Sequence, residues 1–165
     1  MRKGVPVVVH DAQQRTPSEA SGRLLIVVGA HLRAEVADRP LAYGLRQRVC
    51  DWFDGRRGDP DSQFVPTVCC DIWYLNQEVL RRRPVISVGG PGVNALSAHF
   101  AERLTPALVR DDLFMIQLDP EFVDLNVCVW GMNHELTVEA LALFERRYLE
   151  AYLDAVATQV EPRRE

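Results

Sequence analysis

The sequence predicts an α/β domain built on an open, mainly parallel sheet with helices on both faces. Three observations predict it. Leu24-Leu25-Ile26-Val27-Val28-Gly29 is a continuous apolar run of strand length ending in glycine, as expected of a strand buried on both faces. Val85-Ile86-Ser87-Val88 is a second such run, passing directly into Gly89-Gly90-Pro91-Gly92. Segments of helical periodicity alternate with these runs, which is the pattern of parallel strands joined by crossover helices.

Taken in order, residues 1–22 read as an arm and linker, with Val5-Pro6-Val7-Val8-Val9 as a short strand followed by a polar connector. The domain occupies residues 23–159, opening with the strand at Leu24. A polar segment from His31 to Arg39 follows. Pro40 suits a first helical turn with Asp38 near its cap, and Leu41, Leu45, Val49, Trp52 and Phe53 then fall on one helical face. Residues 54–63, with Gly55, Gly58 and Pro60, read as a surface loop. Phe64 to Leu75 reads as the second strand, and Asp71 within it needs a partner if buried. Residues 77–83 form a brief helix or turn that Pro84 stops. After the glycine-rich turn, Leu96, Phe100 and Leu104 share one helical side, and Pro106 ends that helix. Residues 113–118 and 125–131 are two further strands. The short connection beginning at Asp119-Pro120 favours a hairpin and therefore a mixed sheet edge. Asn133 or Thr137 caps a last, long helix with an apolar stripe of Leu136, Ala140, Leu143, Phe144, Tyr148, Tyr152 and Val156. Residues 160–165 read as a charged, frayed tail.

Composition narrows the function classes. The 165 residues are 47% hydrophobic and 25% charged, a globular composition, and the net charge of -4 offers no general attraction to nucleic acid or anionic lipid. The arginine clusters at 56–57, 81–83, 146–147 and 163–164 read as solvated faces. No stretch approaches the roughly 20 apolar residues of a membrane helix, and the 5–9 run is too short for a secretory signal. A cytoplasmic domain is expected. The four cysteines show no C-x-x-C and no zinc-type spacing with histidine. Buried, inert thiols are expected, with no metal site and no cofactor.

The segment that carries chemistry is Gly89-Gly90-Pro91-Gly92-Val93-Asn94, between a strand and a helix. Glycines let a backbone approach a ligand closely, and a helix start offers free N–H groups and a positive dipole end. The spacing is neither G-x-G-x-x-G nor a P-loop. Other polar residues reach the same rim in a parallel sheet: His31 after the first strand, Asp71 and Asn76 after the second, Asn133 after the last. Candidate reactive groups are Glu35, with Asp38 as a second carboxylate, and the His134-Glu135 pair. Ser87 and Ser97 lack a G-x-S-x-G elbow.

The run Val85-Ile86-Ser87-Val88-Gly89-Gly90-Pro91-Gly92-Val93-Asn94-Ala95-Leu96 resembles the Gly-Gly-Pro-x-Val-Asn element of α/β domains in archaeal S-layer proteins. Val127-Cys128-Val129-Trp130-Gly131 and Thr137-Val138-Glu139-Ala140 are similar in outline to a later strand and threonine-capped helix of those domains. The resemblance implies a Rossmann-like or flavodoxin-like strand–turn–helix and no catalytic residues. The first functional expectation is a small-molecule binding or sensing domain that holds a nucleotide-like or phosphorylated ligand on the 89–94 loop. The second is a protein–protein assembly module, homo-oligomeric or with a protein partner, for which Trp52, Trp73 and Tyr74 are interface anchors. The third is a small hydrolase or glycosidic-bond-cleaving enzyme on the same rim.

Overall fold

A computed structural model describes residues 22–56, 62–160 and 163–164. The expected 5–9 strand lies outside these residues. Among the described residues, eight strands and five α-helices follow one another: β1 (Arg23–Val28), α1 (Leu32–Gly55), β2 (Ser62–Gln63), β3 (Val65–Cys70), α2 (Asp71–Leu75), a 3-10 turn (Leu80–Arg82), β4 (Val85–Val88), α3 (Ala95–Ala101), β5 (Pro106–Arg110), β6 (Phe114–Leu118), β7 (Asn126–Gly131), α4 (His134–Arg147), α5 (Leu149–Gln159) and β8 (Arg163–Arg164). The architecture is α/β, with a six-stranded mixed sheet in the order β3-β1-β4-β7-β6-β5. The pairs β1–β3, β1–β4 and β4–β7 are parallel. The pairs β5–β6 and β6–β7 are antiparallel, as the short 119–124 connection predicts for the latter.

The central strands explain the sheet. With both faces covered, β1 must be apolar throughout, and Leu24, Leu25, Ile26, Val27 and Val28 are all fully buried. Alternate residues serve two cores. Leu24, Ile26 and Val28 join Ile86, Val88, Val127 and Val129 beneath α1, α4 and α5. Leu25 and Val27 join Val85 and Cys128 beneath α2 and α3.

Four boundaries differ from the sequence expectation, each for a local reason. Helix α1 starts at Leu32 instead of Pro40, because His31 caps it by accepting the Arg33 N–H at Nδ1. Pro40 sits inside the helix. The carbonyl it leaves without a donor belongs to Val36, an exposed position where water can serve. Asp38 is therefore no cap. It lies in the buried stripe Ala34, Asp38, Ala42, Leu45, Val49. The second strand ends at Cys70, and Asp71 opens α2 because its carboxylate accepts the Ile72 N–H. Pro106 begins edge strand β5 and does not merely stop a helix, and the N–H that proline lacks is one an edge position need not supply. The last helix breaks at Tyr148 (φ -125°, ψ -27°) into α4 and α5. The break buries Leu149, a residue on the wet face of an unbroken helix.

The basic and acidic surface groups pair between helices. Arg48 pairs with Glu145, and Arg56 with Asp154, tying α1 to α4 and α5, while the Arg56 guanidinium lies 4.1 Å over the Trp52 ring. The Arg56–Asp154 pair, exposed on both sides, adds little stability. Residues expected to fray, Arg163–Arg164, pair antiparallel with Ser62–Gln63. Among the described residues, no helix is long and apolar enough to cross a membrane.

Candidate functional site

Three neighbouring parallel strands, β1, β4 and β7, deliver their C-terminal ends to one rim. From β1 the chain turns through α1 towards β3, and from β4 it turns through α3 towards the opposite edge. The crevice where such connections diverge is where open α/β sheets receive ligands. A cavity of about 820 Å³ occupies this rim, between the first turn of α1, the turn after β4 and the first turn of α4. Leu32, Val36, Pro91, Trp130 and Met132 give it largely apolar walls.

Asp38 lines this cavity at 6% exposure, the only carboxylate among the described residues that does so. Among the described residues its oxygens accept no protein hydrogen bond, and the titratable side chain that acts on it is His134 at the start of α4. Burial pushes its carboxyl up from the usual 3.8 to about 6, against a smaller downward pull from His134. Its carboxylate packs on the Cα of Gly89. That glycine has φ +100°, and a Cβ there would stand 2.4 Å from Asp38 Oδ2. Gly89→Ala is expected to cost about 2 kcal/mol from backbone strain and displacement of Asp38. Urea unfolding measures it, and a loss under about 0.5 kcal/mol contradicts the packing.

The other glycines of the turn are different. Gly90 and Gly92 have no positive φ, and added Cβ atoms would meet nothing closer than 3.8 Å at Gly90 and nothing within 4 Å at Gly92. Neither conformation nor packing requires glycine at these two positions. What their lack of side chains does is leave the cavity wall open.

The helix that follows the glycine turn departs from expectation. Every first-turn amide of α3 is already bonded. Asp71 Oδ2 accepts from Ala95 N at 2.7 Å, Asn94 Oδ1 accepts from Leu96 N and Ser97 N, and the Asn94 carbonyl accepts from Ala98 N. Asn94 is buried, and its amide donates to Ser87 Oγ and the Val88 carbonyl. Ser97 Oγ in turn donates to the Gly89 carbonyl at 2.6 Å. Ser87, Ser97 and Asn94 therefore weld α3 to β4, and this helix start has no amide left for a phosphate.

The predicted site residues divide accordingly. Gly90, Pro91, Gly92, Asn133 and His134 come together around Asp38 at the cavity. His31 spends its Nδ1 on capping α1. Asp71, 4% exposed, clamps three amides. Asn76 bonds back to the Ile72 carbonyl of α2. Glu35 is held by Arg39 through two 2.6 Å hydrogen bonds, which lower its carboxyl below the usual value. Glu135 lies outside the cavity lining. Asn133 also caps α4 by accepting from Leu136 N. Of the residues suited to interface anchoring, Tyr74 is buried and Trp52 and Trp73 are half-buried.

Sequence reasoning placed Asp38 at a helix cap. The signal that finds it was present: it interrupts the otherwise apolar 34, 38, 42, 45, 49 spacing. The thiols of Cys69 and Cys128 are pushed up to about 12 by burial, whereas Cys50 and Cys70 are half-buried. No group of three or more histidine, cysteine, aspartate or glutamate side chains is placed to hold a metal ion among the described residues. Comparison of the chain with protein-family models, curated proteins and solved structures finds no match.

Proposed function

We propose that this chain is a small-molecule binding or sensing domain that holds a nucleotide-like ligand at the rim of a Rossmann-like sheet. The observation that carries the reading is the cavity itself. A buried, unbonded carboxylate is expensive in a domain that has no use for it, and Asp38 lines a largely apolar space roomy enough for such a ligand. The open wall at Gly90 and Gly92 supports the same reading. So does the placement of β1 between β3 and β4, the order in which doubly wound sheets bind nucleotides.

A thermal-shift panel of nucleosides, nucleotides, dinucleotides, sugar phosphates and divalent metals tests it. A ligand at about 100-fold excess over Kd adds about 2.7 kcal/mol. A Cβ added at Gly90 meets its nearest neighbours at 3.8 and 3.9 Å, so Gly90→Val puts its side chain on a cavity wall without a clash at that first atom. That variant is expected to unfold within about 1 kcal/mol of wild type and to lose every hit. A hit that survives Gly90→Val places the ligand elsewhere.

A second reading has its own observation. Leu32, Val36 and Met132, at the cavity mouth, are 80%, 79% and 68% exposed, an apolar ring suited to a protein partner or a second copy. Light scattering separates the two. A stable oligomer indifferent to the panel favours assembly, and a monomer that binds a ligand favours the first reading. The enzyme reading, with Glu35 engaged by Arg39 and Glu135 outside the cavity, now depends on Asp38 and His134.

A further inference from the structure

We propose that the ligand is a nucleoside monophosphate bound with its nucleoside end inward on Asp38 and its phosphate outward between Arg33, His134 and the first turns of α1 and α4. This rests on the binding reading above and reverses the orientation expected from the glycine turn. An ionised carboxylate only accepts hydrogen bonds, so a buried one without protein donors calls for a ligand that brings hydroxyl or amino groups. A phosphate at that depth would meet like charge, and the α3 amides that would hold it are taken by Asp71 and Asn94.

The mouth has the opposite character. Arg33 and His134 are exposed there, and Arg33 has no acidic partner among the described residues. His31 caps only the Arg33 amide and Asn133 only that of Leu136, so Leu32 and Ala34 of α1, and His134 and Glu135 of α4, keep N–H groups with no side-chain acceptor. Two long helices thus open their positive ends at the same mouth. The walls between base and mouth are apolar, which suits the flat face of a heteroaromatic base better than a bare sugar.

Calorimetric titration of the full chain with adenosine, guanosine, cytidine and uridine, each beside its 5′-monophosphate, and with inorganic phosphate, tests the orientation. One pair is expected to bind, the monophosphate at least tenfold tighter than its nucleoside, with inorganic phosphate weaker than both. Arg33→Ala is expected to abolish the difference within the pair. Asp38→Asn is expected to weaken nucleoside and monophosphate alike by tenfold or more while the melting temperature does not fall. Equal binding by nucleoside and monophosphate overturns the outward phosphate. Wild-type affinity in Asp38→Asn overturns the inward nucleoside. If these probes fail while another member of the panel binds in a Gly90-dependent way, this assignment falls and the binding reading stands. If nothing binds, both fall.

Discussion

Asp71→Ala is expected to destabilise the domain by about 4 kcal/mol. The side chain is 4% exposed and accepts three backbone hydrogen bonds: from Ala30 N at 2.9 Å, from Ile72 N at 2.7 Å and from Ala95 N at 2.7 Å. Alanine leaves three donors without an acceptor, each costing about 1–3 kcal/mol where water does not replace the oxygen. These amides belong to the β1–α1 connection, the start of α2 and the start of α3. One side chain therefore joins three segments brought together by the sheet, two of which frame the cavity. Asp71→Asn retains an oxygen for two of the amides and turns an NH2 towards the third, so about half the loss is expected. Urea unfolding followed by circular dichroism measures both. A loss below about 1 kcal/mol for alanine means that the three bonds are not a joint.

Asp38→Asn is expected to act in the other direction. The folded pKa of about 6 lies above the usual 3.8, so the unfolded chain releases this proton first as pH rises. The sign follows from linkage. The group imposes no penalty below about pH 3, lowers stability as pH climbs through the interval between the two values, and imposes its full penalty above about pH 7. A rise from 3.8 to about 6 corresponds to about 3 kcal/mol at pH 8. Asparagine is close in size and cannot ionise, so the variant is expected to be more stable than wild type at pH 8 by up to that amount, and equal to it at pH 3. Urea midpoints for both proteins across pH 3–8 give the curve. An asparagine variant less stable at pH 8 than wild type means that Asp38 serves the fold, and its burial is then no sign of a ligand.

Much of the fold was legible in the chain. The strands at Leu24 and Val85 announced themselves because a strand covered on both faces has no polar alternation to confuse it. The hairpin between β6 and β7 followed from the shortness of its connection. The misread segments are those where a single residue serves two structures. Pro40 looks like a helix start and is tolerated in a helix interior because its face is wet. Pro106 looks like a stop and opens an edge strand.

The candidate site was legible as a place and not as a mechanism. Gly90, Pro91, Gly92, Asn133 and His134 were predicted to share a rim, and they share one cavity. The sequence could not tell whether Asp71 and Asn94 faced a ligand or the backbone. Both are polar residues next to a turn, and their partners lie 41 and 67 residues away at Ala30 and Val27.

By itself, then, the sequence determined which segments are buried on both sides, which turn carries the glycines, and which polar residues follow each strand. Those properties depend on local periodicity and on the steric character of glycine and proline. Only the tertiary structure decided which amides are free. It closed the α3 amides with Asp71 and Asn94 and left two first-turn amides open on each of α1 and α4, and it turned Asp38 from a helix cap into a buried acceptor. Hydrogen bonding and desolvation depend on what lies within about 3 Å in space, and neighbours at that distance come from strands that are distant in the chain.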